Sequence, residues 1–255
     1  MPTKGRYLYG FVRANESLEV GCIGLENEGH PARVYTLVVD SIAAVVSEYA
    51  TRGKVLPLRK NLDPHHQVIR EVMKTRTIAP MTFGHLAKSE DEVRRALRAN
   101  YDEIEEQLQR VDGRVEMGLK VKWDVDNIFE YFAGMDEELA GFRDQLFGRS
   151  NTPSQAEKIE LGRMFQERLD QERTDQTEHV VEAFQSCFID WKSNPPKNEK
   201  MLMDLAFLVD RECLKVFEER VYQVAGAFSA QYVFDYNGPW APFNFVELEL
   251  RSAAA

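Results

Sequence analysis

Cysteine is scarce in this chain: Cys22, Cys187 and Cys213 are odd in number, far apart and never in a C-x-x-C pair. That suggests neither a disulfide framework nor a thiolate metal site, and it suits a reducing cytosol. Long apolar runs are missing too. None approaches the roughly 20 residues that cross a bilayer, and Ala206-Phe207-Leu208-Val209 is closed in by Asp204 and Asp210. Met1-Pro2-Thr3-Lys4-Gly5 leads into strand-like sequence without the apolar core of a signal peptide, so neither export nor membrane spanning is expected. Positive charge is in deficit. With 42 acidic against 32 basic residues the net charge is −10, which leaves no field to collect phosphates and argues against nucleic acid as a partner. Arg94, Arg95 and Arg98 make a local basic spot, but they share a predicted helix with Glu90, Asp91, Glu92, Asp102 and Glu103, and solvated ion pairing accounts for them.

The usual chemical motifs are also absent. There is no G-x-x-x-x-G-K-[ST], no G-x-G-x-x-G after a strand, no H-E-x-x-H and no G-x-S-x-G, so nucleotide-binding, zinc-protease and hydrolase readings lose their support. His65-His66 is a conspicuous pair. Adjacent helical residues point about 100° apart, however, and cannot share a metal from one face. A structural or solvent role is expected for both, and for His85 beside Gly84. The carboxylates of Glu103, Glu105, Glu106 and of Asp136, Glu137, Glu138 lie on helices whose apolar stripes fall elsewhere, which makes them solvated faces. Cys187 and Cys213 sit in apolar runs, where a thiol behaves as a small hydrophobe. No catalytic residue, metal site or cofactor is predicted.

What is present is material for an α+β chain of two domains, at 255 residues and 44% apolar content. In the first half, Tyr7, Tyr9 and Phe11 alternate as a strand, and residues 34–39 and 42–46 add two more. Asp63-Pro64 predicts a helix start, with Val68, Ile69, Val72 and Met73 following at helical spacing. Ser89 and Glu92 form a capping box ahead of Val93, Leu97, Tyr101, Ile104 and Leu108, one amphipathic helix. Val111-Asp112-Gly113 closes a domain of residues 1–112.

Residues 113–255 form the second predicted domain. Val115, Met117, Leu119, Val121 and Trp123 alternate as its best strand, and a helix carries Ile128, Phe132, Met135, Leu139, Phe142 and Leu146. Ser154, with Gln155 and Glu157, starts a further helix in which residues 166–179 hold only Leu169 as a strong apolar residue. Residues 201–209 read as a buried strand, Asp210 as the cap of a helix with Leu214, Phe217, Val221 and Val224, and Phe228 to Tyr236 as a final alternating strand. Strand, long helical insert, short strand, strand, helix, strand is the order of a modified ferredoxin-like sandwich with an enlarged helical insertion.

The C-terminal segment Gly238-Pro239-Trp240-Ala241-Pro242-Phe243-Asn244-Phe245-Val246-Glu247-Leu248 combines two prolines, which stiffen it, with three aromatics. Beyond Pro242, Val246, Leu248 and Leu250 alternate with Glu247 and Glu249, the period of a strand with one buried face. With Arg6-Tyr7-Leu8-Tyr9-Gly10-Phe11-Val12, Thr77-Ile78-Ala79-Pro80-Met81-Thr82-Phe83-Gly84 and Gly118-Leu119-Lys120-Val121-Lys122-Trp123-Asp124, this ending resembles the gas vesicle protein F/L family (GvpF/GvpL) nearly end to end.

The resemblance implies a non-enzymatic accessory or minor structural protein of gas vesicles, cytoplasmic and vesicle-associated. It implies binding to the major gas vesicle shell protein, with other gas vesicle accessory proteins as further partners, and it does not separate F from L. Trp240, Phe243 and Phe245 are the candidate partner-binding residues, with residues 166–179 and 77–84 as other eligible surfaces. The competing reading is a small-ligand-binding or enzymatic ferredoxin-like protein using His65, His85 and Tyr232.

Overall fold

In the computed structural model, residues 5–50, 53–148 and 152–251 are described. The fold is mixed α and β, with antiparallel pairing in its sheets and helices packed on them. Contacts divide the chain into two units, Met1–Glu116 with Pro239–Ala255, and Met117–Gly238.

In the first unit, strands β1 (Gly5–Arg13), β2 (Glu19–Asn27), β3 (His30–Val39) and β4 (Ile42–Tyr49) precede helix α1 (Arg59–Met73). Short strands β5 (Ile78–Pro80) and β6 (Leu86–Ala87), then helices α2 (Glu90–Ala99) and α3 (Tyr101–Arg110), complete it. The sheet runs β2-β3-β4-β1-β5, with β6 also on β1. The β2–β3 hairpin turns through Glu28 and Gly29, both at positive φ, as a tight two-residue hairpin requires. Strand β1 is buried on both faces from Tyr7 to Val12. Tyr7 and Tyr9 meet His65 of α1, whereas Leu8 and Phe11 join Val93, Leu97, Ile104 and Leu108 of α2 and α3. At Gly10 a Cβ would stand 2.6 Å from the Ala79 carbonyl oxygen, so the β1–β5 approach excludes a side chain there.

The second unit takes β7 (Arg114–Trp123), α4 (Ile128–Met135), α5 (Glu137–Phe147), the 30-residue α6 (Gln155–Phe184), β8 (Asp190–Ser193) and β9 (Met201–Asp210). Helix α7 (Leu214–Ala227) and β10 (Tyr232–Trp240) follow. Its sheet order is β10-β7-β9-β8. The alternating apolar residues of β7 are buried as their period predicts, and β9 is buried through Val209. Phe207 gathers the core, with Phe184, Phe188 and Phe217 at centroid distances of 5.4, 5.2 and 5.4 Å.

Several expectations are corrected. Helix α1 starts at Arg59, not Asp63, and Pro64 lies inside it; Leu58 caps it without a side-chain bond, while Asn61 donates to the Leu56 carbonyl. The helix predicted from Ser89 is two, broken at Asn100, whose amide turns back to the Ala96 carbonyl. Likewise Asp136 ends α4 and caps α5 through Glu138 and Leu139, which leaves Met135 exposed. Asp210 makes no side-chain cap, and a 3₁₀ turn precedes α7. The Ser154–Glu157 capping box forms as predicted.

Candidate functional site

The C-terminal segment does not form the strand its alternation predicts. After a 3₁₀ turn at Phe243–Phe245 it runs extended, with no backbone ladder. Side chains hold it instead. Glu116 at the start of β7 accepts from the Asn244 backbone N–H at 2.9 Å and from its side-chain amide at 2.7 Å. Gln107 of α3 accepts from the Glu247 N–H at 3.1 Å. Asn100 accepts from the Arg251 N–H at 2.9 Å and donates to the Arg251 carbonyl at 3.3 Å. Between these clasps Val246, Leu248 and Leu250 lie half-buried on the α2–α3 side of the core. This is why the segment belongs to the first unit and not, as 113–255 supposes, with the second.

The clasp has an electrostatic cost. Glu116 is only 8% exposed, and burial raises its pKa; the two Asn244 donors oppose that rise by favouring the ionised form. A buried carboxylate with two amide donors is a structural anchor, and it explains the one polar residue of β7's buried stretch.

The three aromatic candidates part company. Trp240, the last residue of β10, is 41% exposed. Phe243 is half-buried, its ring edge-on to His66 at 5.7 Å. Phe245 is 0% exposed. It cannot meet a partner in the folded chain, which corrects its inclusion among partner-binding residues: the clasped turn drives it into the core, where a ring gains most by burial.

Phe243 leads to a buried histidine. His65 lies wholly within a shell of Tyr7, Tyr9, His66 and Phe83, with ring centroids between 5.4 and 5.7 Å. The Tyr7 hydroxyl accepts from the Gly84 N–H at 3.1 Å and shares a hydrogen bond with His65 Nδ1 at 3.0 Å. Burial first, then the neighbouring His66, lowers the His65 pKa to about 4. His85, bonded to Thr82 Oγ1 at 2.9 Å, is also lowered by burial. Among the described residues no group of three or more His, Cys, Asp or Glu is placed to hold a metal ion. Tyr232, the third residue of the ligand-binding reading, belongs to the second unit against Trp123 and Phe228.

Sequence reasoning missed Glu116, Gln107 and Asn100, since a clasp between residues more than a hundred positions apart has no periodic signal. Of the basic spot on α2, Arg94 pairs with Glu90 and Asp91 as expected, but Arg95 does not pair among the described residues.

Fold and clasped tail together define a mixed α/β protein of antiparallel sheets and packed helices whose C-terminal segment is held by side chains. The family model described as "Gas vesicle synthesis protein GvpL/GvpF" matches residues 5–247, and the chain belongs to that family. It is 27% identical over 256 residues to gas vesicle protein F of Nostoc sp. strain PCC 7120, covering 96% of this chain and 99% of the relative. It is 27% identical to gas vesicle protein F of Dolichospermum flosaquae, covering 95% and 98%. The crystal structure of GvpF from Anabaena sp. PCC7120 aligns with a TM-score of 0.80 at 25% identity, over 96% of this chain and 99% of that one. GvpF from Microcystis aeruginosa shares the fold, with a TM-score of 0.78 at 21% identity and the same coverage. A gas vesicle-related role follows from the family. No helix among the described residues is long and apolar enough to cross a membrane.

Proposed function

We propose that this chain is a non-enzymatic accessory or minor structural protein of gas vesicles, cytoplasmic and vesicle-associated, that binds the major shell protein and supports assembly. The observation that carries the reading is the family match over residues 5–247. The physical task is plain. A shell subunit with apolar faces aggregates in water unless a soluble partner covers or presents those faces. Such a partner needs an aromatic anchor on a charged body, and exposed Trp240 on a chain of net charge −10 supplies one. The sheet order β10-β7-β9-β8 supports reading the second unit as a modified ferredoxin-like sandwich.

Co-purification from cells expressing this chain and the major shell protein tests the reading. The wild type retains the shell protein, and Trp240→Ala weakens retention roughly tenfold or more with an unchanged circular dichroism spectrum. Phe245→Ala, by contrast, loses the folded spectrum. No retention by the wild type at low salt and high shell-protein concentration sinks the proposal.

A further inference from the structure

Beside the end of the clasped tail lies an open groove of about 590 Å³, between β6, α2 and Leu250. Its floor is apolar, reaching Leu8, Phe11 and Val93, and Ala96 forms one wall. Strand β6 pairs with β1 on one side, and among the described residues no strand takes its other edge.

Three cations rim this groove: Lys88, Arg95 and Arg251, all exposed. Arg6, Arg13, Arg33, Arg143 and Arg163 each hold a carboxylate. Lys88, Arg95 and Arg251 hold none among the described residues. The one acid in the lining, Glu92, accepts from the Lys88 backbone N–H.

The tail shows what kind of segment this layer accepts. Val246, Leu248 and Leu250 turn inward while Glu247 and Glu249 stay exposed, so an extended strip of alternating apolar and acidic residues already lies on the same core. Leu250, the last inward residue of that strip, also lines the groove, and the groove's rim supplies the charges that flanking carboxylates would meet.

We propose that the groove takes an extended partner segment with alternating apolar and acidic side chains, laid against β6 beside the chain's own tail. Resting on the reading above, that segment belongs to the major shell protein. Apolar floor and cationic rim act together: burial of the inward side chains holds the segment, and the three cations select one flanked by carboxylates.

Two variants of the full chain test this in the same co-purification. Lys88→Glu/Arg95→Glu reverses the rim at exposed positions, and Ala96→Trp fills the groove; circular dichroism confirms that each is folded. Both are expected to lower shell-protein retention roughly tenfold. Wild-type retention should fall between 0.1 M and 1 M salt, as the screening length shrinks from about 10 Å to about 3 Å. Wild-type retention matched by both folded variants overturns the groove and leaves the shell-protein reading standing. A wild type that retains nothing removes both. Variants that keep the shell protein but lose self-association in sedimentation would assign the groove to a second copy of this chain and overturn the proposal.

Discussion

In the first unit a sheet is sealed on both faces, by α1 on one and by α2, α3 and the clasped tail on the other, and several buried polar groups anchor it: Tyr9 to Ser47 and the Leu25 N–H, Glu116 to Asn244. In the second unit the longest helix, α6, buries only Leu161, Phe165, Leu169, Val180 and Phe184. Between Leu169 and Val180 its inward positions are Glu172, Arg173, Gln176 and Thr177, half-buried and polar. Arg173 donates to the Met201, Asn198 and Glu199 carbonyls there, tying the helix to the approach to β9. One unit is thus held by a continuous core with buried polar anchors. In the other, the longest helix joins a core built on β7 and β9 only through two separated apolar contacts and a polar middle.

The difference predicts where a single cut does most harm. Phe207→Ala removes the ring that joins Phe184 of α6 and Phe217 of α7 to β9. It should cost about 3–5 kcal/mol of unfolding free energy, because both helices lose the same contact and neither can collapse into the void alone. Urea unfolding measures it. A loss under about 1 kcal/mol would mean that α6 is held mainly by its polar middle, and the contrast between the units would fail.

How far the sequence reveals this varies with the physics of each element. The burial of β7 and β9 is readable because side-chain period and apolar runs report burial directly. The tail is the instructive failure. Its alternation reports one buried face, which is present, but period says nothing about where backbone donors go, and here they go to Glu116, Gln107 and Asn100. Asn100 is opaque for the same reason, since its helix break and its hold on Arg251 are one long-range event. Of the candidate site, Trp240 and Phe243 reach the surface to different degrees and Phe245 does not, a distinction composition cannot make. The family ending is legible as a motif; which of its rings face out is decided by the clasp.

Acid should expose the first unit's dependence on its buried polar groups. The folded pKa of His65, about 4, lies below the ordinary value near 6.5. Above about pH 6.5 the residue is neutral folded and unfolded, and its contribution is fully present. As pH falls from there toward 4, the unfolded chain binds a proton that the folded chain refuses, so stability is lost at up to about 1.4 kcal/mol per pH unit, on the order of 3 kcal/mol in all. His66 and His85, also lowered, act in the same direction. Unfolding measured at pH 7 and pH 4.5 should show a steeper loss in the wild type than in His65→Phe. Parallel slopes would show that His65 does not link protons to folding.

The smallest effect expected is at the clasp, and it is the one that sharpens the contrast most. Asn244→Ala removes a neutral side-chain donor from buried Glu116 but leaves the backbone donor. The loss should be about 1–2 kcal/mol, the desolvation left on a carboxylate that keeps one partner. It should also be local, because Gln107 and Asn100 still hold the segment on either side of Leu248. Hydrogen exchange then reads faster amides at Asn244 and Phe245 and unchanged amides in β9. Because burial already raises the Glu116 pKa, losing a donor raises it further, so the variant's deficit should shrink as pH falls and the carboxyl takes up a proton. A deficit that grows in acid would mean that the Asn244 side chain supports the tail by some route other than the Glu116 charge.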